Sequence, residues 1–260
     1  MSAAAVPTAA HPLDLTSRTC VVTGATGDVG QAVARRLRAC GASLVLHYLR
    51  NADAARALAA ELCRKESGRI EVQQANLARD DEIEALVSNV IARFGVIDVV
   101  VHCASMGTFA PLMQTKPSHW QLTLDVHARA FWQLAARAPR FVRSGGSLIA
   151  LSSLGGRIVT PHYGAVGVAK AALEAVVRYA AAELAPHGIR VNAIAGGPVN
   201  GARLRGSPAH PALVMAAEQR PGGRFGEPGE LADVALFLAS PLARWIQGQV
   251  IVVDGGFSLW

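Results

Sequence analysis

From residue 18 onward the 260-residue chain alternates short apolar runs with helical stretches, and no linker or internal repeat breaks the series. Residues 18–23, 43–48, 69–74, 97–101, 147–151, 190–194 and 249–253 read as strands. Residues 28–39, 52–66, 80–94, 119–141, 163–185 and 230–239 read as helices, with Pro139 disturbing the last turn of the fourth. The run at 97–101 is apolar without alternation, as a parallel strand covered on both faces requires. Strand and helix taking turns in one unbroken order predict an α/β protein, a doubly wound, seven-stranded parallel sheet in a single domain over 17–260. Residues 1–16, Ala-rich with Pro7 and no basic start, read as a flexible N-terminal tail rather than a secretion signal. Residues 196–229, rich in Gly, Pro and Arg, are too long for an ordinary connection and predict a functional segment, a lid.

Composition removes several classes. With 51% hydrophobic and 17% charged residues the chain fits neither disorder nor a coiled coil. Its net charge of +6 invites an acidic partner, but only three of 25 basic residues are lysines, and the arginines are scattered. Without a basic block or interleaved aromatics, no nucleic-acid partner is expected. No apolar run reaches the roughly 18–20 residues of a membrane span. Cys20, Cys40, Cys63 and Cys103 show no CxxC spacing and no histidine-ligand pattern, which predicts a reduced, cytoplasmic protein without a metal site.

The first strand runs into Thr23-Gly24-Ala25-Thr26-Gly27-Asp28-Val29-Gly30. A glycine-rich turn from strand to helix brings backbone N–H groups close to a pyrophosphate, at the positive end of the helix. The same glycines would also serve a bare tight turn. After the second strand comes His47-Tyr48-Leu49-Arg50-Asn51, with no carboxylate before Asp53. An NAD site commonly places an acid there for the ribose 2′-hydroxyl, whereas Arg50 suits a 2′-phosphate, so the cofactor expected is NADPH. An ordinary solvated loop arginine is the alternative.

Tyr163 and Lys170 lie seven apart at the start of the helix that follows the fifth strand, in a chain with three tyrosines and three lysines. Seven residues make about 700° of helical rotation, so both side chains share a face roughly 10 Å apart along the axis. A cation near a phenol lowers its pKa and makes it a better proton donor.

These segments, with Ile97–Ser105, Leu148–Gly156, Ile189–Val199 and the ending Gly248–Gly256, resemble the short-chain dehydrogenase/reductase superfamily, a Rossmann fold, in order and spacing. Most members have the tyrosine and lysine four apart; the spacing of seven is similar to the NADPH-using enoyl-acyl-carrier-protein reductases. The resemblance implies reduction of the 2,3 double bond of a trans-2-enoyl thioester, carried on acyl carrier protein or CoA, in fatty-acid or polyketide-type synthesis. Tyr163 would meet the enolate oxygen, and Lys170 would hold the nicotinamide ribose. Ser153, ten before Tyr163, would stand near the substrate, or be a plain polar strand end. By the same resemblance Gly24, Thr26, Gly27, Asp28, Val29, Gly30, Arg50, Asn76, Leu77, Cys103, Ala104, Lys170, Gly197, Pro198 and Val199 bind cofactor. Ser105, Met106, Ser153, Leu154, Tyr163, Leu204 and Met215 are the substrate-side candidates. A homotetramer or homodimer is implied as well.

The chain departs from that family at several points. Asp28 stands where the glycine turn has a glycine, and a carboxylate there repels phosphate. His102-Cys103-Ala104 replaces Asn-Asn-Ala after the fourth strand, and His127 takes the place of the asparagine that carries a relay water in alcohol-oxidising members. It reads as a proton relay or as a packed helix histidine. The threonine expected to hold pyrophosphate is replaced by Gly201, with Asn200 beside it. Arg203, Arg205, Arg220 and Arg224 in the lid could meet an acidic carrier or the phosphates of CoA. The competing expectations are a carbonyl reductase of the same superfamily and an NADPH-binding sensor without turnover.

Overall fold

The computed structural model describes residues 12–63 and 68–259. Strands β1 (Thr19–Thr23), β2 (Ser43–Tyr48), β3 (Ile70–Gln74), β4 (Ile97–His102), β5 (Val142–Ser153), β6 (Arg190–Gly196) and β7 (Val250–Val253) form one sheet in the order 3-2-1-4-5-6-7. Every neighbouring pair is parallel. The order reverses between β1 and β4, which opens a crevice at their carboxyl ends, where sheets of this kind take ligands.

Alternation along β4 explains its unbroken apolar run. Val99 and Val101 pack on one face with α1 (Asp28–Ala39), α2 (Ala52–Cys63) and α9 (Pro228–Ala239). Val100 packs on the other face with α3 (Asp80–Phe94), α5 (Ala130–Phe141) and α6 (Gly164–Leu184). Both layers bury aliphatic side chains and alanines, so helices built largely of small residues lie close on the sheet.

Several boundaries differ from the sequence expectation. The helix expected at 119–141 starts at Pro117 as α4 (Pro117–Leu124) and reaches α5 through a π-helical turn, Asp125–Arg129. Pro139 does not end α5, because near the terminus its missing N–H costs a single bond. The lid is more regular than its Gly/Pro content suggested: it holds α7 (Ala202–Arg205) and α8 (His210–Glu218). Residues 64–66 of the expected second helix lie outside the described residues. So do residues 1–11 of the expected tail. Leu15 is buried in the α1–α2–α9 layer, and its N–H donates to the Cys40 carbonyl at 2.7 Å. Among the described residues no helix is long and apolar enough to cross a membrane.

Candidate active site

One cavity of about 530 Å³ opens at the carboxyl ends of the strands. Gly24, Thr26, Gly27, Asp28, Val29, Gly30, Arg50, Asn76, Leu77, Cys103, Ala104, Lys170, Gly197, Pro198 and Val199 all line it. Ser105, Met106, Ser153, Leu154, Tyr163 and Leu204 line it too. Met215 is the exception: it is 64% exposed on α8 and outside the lining, where Leu213 stands instead. The reason is helical: two residues on, α8 has turned Met215 away from the cavity.

At one end the glycine turn meets α1, whose start has no side-chain cap, so its N–H groups are left for a ligand. Gly24 sits at φ +62°, and a Cβ there would stand 2.6 Å from the Ala104 Cα, so the turn presses directly on the chain after β4. The Gly24 N–H donates to His47 Nδ1 at 3.1 Å, and His47 Nε2 pairs with the Ala75 carbonyl at 3.0 Å. With Nδ1 accepting, Nε2 carries the proton. Burial pushes the His47 pKa down to about 4, which keeps this clamp neutral. Sequence reasoning passed over His47, although a buried histidine in an apolar strand is a visible anomaly. The Asp28 carboxylate turns across to the lid, where it accepts the Ala202 N–H at 2.9 Å. Gly201 permits this, since a Cβ there would lie 2.5 Å from Asp28 Oδ2. Asn200 donates instead to Glu227 at 2.5 Å. Arg50 is exposed at the end of β2, on the cavity rim. Glycine turn, uncapped helix start and rim arginine fit a dinucleotide that carries an extra phosphate.

At the other end Tyr163 is the residue that enters α6, one place earlier than a helical position, and Lys170 lies one face along it. Gly155 makes room for the phenol ring; a Cβ there would be 2.4 Å from Tyr163 Cδ1. Lys170 Nζ donates to the Leu151 carbonyl at 2.6 Å, and burial brings its pKa down to about 7, with the Arg203 charge adding to the fall. Burial also raises the phenol pKa of Tyr163, while Ser153 and the Arg203 charge pull it back. The Arg203 guanidinium is thus a second cation that bears on Tyr163, one that the spacing did not point to. Burial pushes the Cys103 thiol up to about 12, which favours the protonated form over the thiolate.

His127 occupies the π-helical turn, fully buried. Its Nδ1 donates to the Thr123 carbonyl at 2.7 Å, which leaves Nε2 to accept from Ser105 Oγ at 2.9 Å. Burial and the Lys170 charge hold its pKa well below the usual range, so the packed reading describes it better than a titrating relay. His102 is similar: Nε2 donates to the Val126 carbonyl, Nδ1 accepts from Thr23 Oγ1, and burial brings its pKa to about 3. Among the described residues no group of three metal-ligating side chains occurs.

A family model described as enoyl-(acyl carrier protein) reductase matches residues 24–258. The chain is 34% identical over 242 residues to the 1-cyclohexenylcarbonyl-CoA reductase of Streptomyces collinus, covering 92% of this chain and 86% of that protein. It is 32% identical over 260 residues to an NADH-designated enoyl-acyl-carrier-protein reductase of a Nostoc species, covering 95% and 98%. Among solved structures, an angucycline C-6 ketoreductase with bound NADP is similar at a TM-score of 0.86 and 30% identity, covering 95% and 98%.

Proposed function

The chain belongs to the short-chain dehydrogenase/reductase superfamily, in the group described by the enoyl-acyl-carrier-protein reductase model, and from that premise we propose that it reduces trans-2-enoyl thioesters with NADPH. The observation that carries this reading is the displacement of Tyr163 from Lys170: the phenol stands ahead of α6, and its electrostatic partners are Ser153 and Arg203. In a 1,4-reduction the oxygen that gains charge lies away from the carbon that gains hydride. A phenol set apart from the ribose-holding lysine suits that geometry.

When bound, NADPH supplies the hydride for the β-carbon. Tyr163 donates its O–H to the thioester oxygen and stabilises the enolate there, the electrostatic contribution that usually dominates. The enolate collapses as its α-carbon takes a proton, giving overall one saturated thioester and one oxidised cofactor per enoyl thioester and proton consumed. Lys170, fixed by the Leu151 carbonyl, would hold the nicotinamide ribose with its other N–H groups. Arg50 would meet the 2′-phosphate, and the glycine turn would hold the pyrophosphate. The lid residues Leu204 and Leu213 face the acyl group. Acyl carrier protein or CoA brings the acyl group, and the working form is a homodimer or homotetramer.

Carbonyl reduction is the second reading, favoured by the likeness to the angucycline ketoreductase. Turnover of crotonyl-CoA with NADPH, with butyryl-CoA identified as product, tests the first. Absence of butyryl-CoA at any enzyme concentration would remove it.

A further inference from the structure

Arg203 is a buried-end cation whose described contacts are all uncharged. Its Nη1 donates to Ser105 Oγ at 3.1 Å and its Nη2 to the Gly107 carbonyl at 3.3 Å. Its Cζ lies 5.4 Å from the centre of the Phe109 ring, which in turn lies 5.9 Å from the Tyr163 ring. The direction of the network is fixed from below: His127 Nδ1 is spent as a donor on Thr123, so Nε2 accepts the Ser105 proton. Ser105 is then left with lone pairs that only a donor satisfies, and Arg203 is that donor. From above, the Asp28 carboxylate holds the first turn of α7. The guanidinium is thereby held by Ser105 and Gly107 on a backbone that Asp28 anchors, and it lines the same cavity as Tyr163 with the Phe109 ring next to both.

A cation at the reacting end of a cavity, with the Lys170 charge near it and no carboxylate among its described contacts, carries a desolvation cost that an arriving negative charge offsets. Resting on the reading of the site as an enoyl-thioester reductase, we propose that Arg203 is a catalytic residue. From the lid, it takes the enolate oxygen jointly with Tyr163. The balance is the one already given: the C=C pair moves toward the carbonyl carbon as hydride reaches the β-carbon, the C=O pair moves to oxygen, and Arg203 meets that charge without taking or giving a proton. The lid then completes the site instead of only covering it.

The test uses crotonyl-N-acetylcysteamine, which carries no phosphate, beside crotonyl-CoA, with wild type, Arg203→Gln, Arg203→Lys and Arg203→Ala. A group that acts only in the transition state lowers kcat and leaves KM nearly unchanged. Arg203→Gln should lose about 10²-fold in kcat on both substrates, of the size seen when one oxyanion donor is removed. Arg203→Lys should keep part of the rate, and added guanidinium should restore part of the rate of Arg203→Ala, which a purely structural loss would not allow. An unchanged kcat in Arg203→Gln would overturn the proposal. So would a defect confined to the KM of crotonyl-CoA, which would make Arg203 a reader of CoA phosphates. If wild type turns over neither enoyl substrate, the underlying reading fails and takes this proposal with it.

Discussion

The Asp28 carboxylate accepts the Ala202 N–H at 2.9 Å, joining the glycine turn to the lid across 174 residues of sequence. One side chain thus does two opposing things: it places negative charge near the pyrophosphate position and it anchors α7. Asp28→Asn keeps an acceptor for Ala202 and removes the charge, so NADPH should bind roughly two- to fivefold tighter, as expected for one charge at a helix start. Asp28→Ala removes both, and the KM for thioester should rise as α7 loosens. Binding by fluorescence titration and steady-state kinetics separate the two; equal affinities for all three proteins would contradict this assignment.

On the proposed reading, Arg50 sets the choice of cofactor. Arg50→Gln should weaken NADPH binding by roughly tenfold or more, the size of a lost charge-assisted hydrogen bond, and leave NADH almost untouched. The ratio of kcat/KM for the two cofactors reads this out directly. A ratio that does not move would return Arg50 to the status of a solvated rim residue.

Tyr163→Phe removes the O–H proposed to meet the substrate oxygen and keeps the ring that packs near Phe109. It should cost roughly 10²-fold or more in kcat with little change in thermal stability. A near-wild-type rate would take the phenol out of the chemistry.

Stability should fall on mild acidification. His47 and His102 are buried neutral, with pKa values lowered to about 4 and about 3, and His127 is held well below its ordinary range. The unfolded chain takes up these protons near pH 6.5, before the folded chain does. The histidine contribution is therefore complete above that pH and drains as pH falls toward 4, by about 1.4 kcal/mol per pH unit for each histidine. Melting temperatures at pH 7.5, 6 and 5 should decline in order, and His47→Asn, with one proton fewer to take up, should decline less steeply. A flat profile over that range would show that these imidazoles are not buried as described.

Local signals were enough for much of this fold. Helices α1 and α3 and strand β2 start and stop where the sequence says, because acids at the helix starts and Gly95 at φ +75° are short-range devices. The residues of the cavity were also legible, since the strand ends that carry them follow from the strand–helix alternation. What stayed hidden is what depends on distant pairing. The π-helical turn at Asp125–Arg129 shifts the helical period without changing composition. Arg203 looked like one arginine among many, and only the approach of α7 to Ser105, 98 residues away, sets it in the site. Met215 was misplaced because a short lid helix has no long apolar stripe to show which side faces in.

The central claim is reduction of a carbon–carbon double bond by a site whose phenol stands apart from its lysine. The ratio of kcat/KM for crotonyl-CoA to that for acetoacetyl-CoA, both with NADPH and wild-type protein, tests it most directly. The enoyl substrate should be favoured by at least about tenfold, a difference of about 1.4 kcal/mol in transition-state stabilisation. Faster turnover of the 3-oxoacyl substrate, with 3-hydroxybutyryl-CoA as product, would contradict it and make the protein a carbonyl reductase.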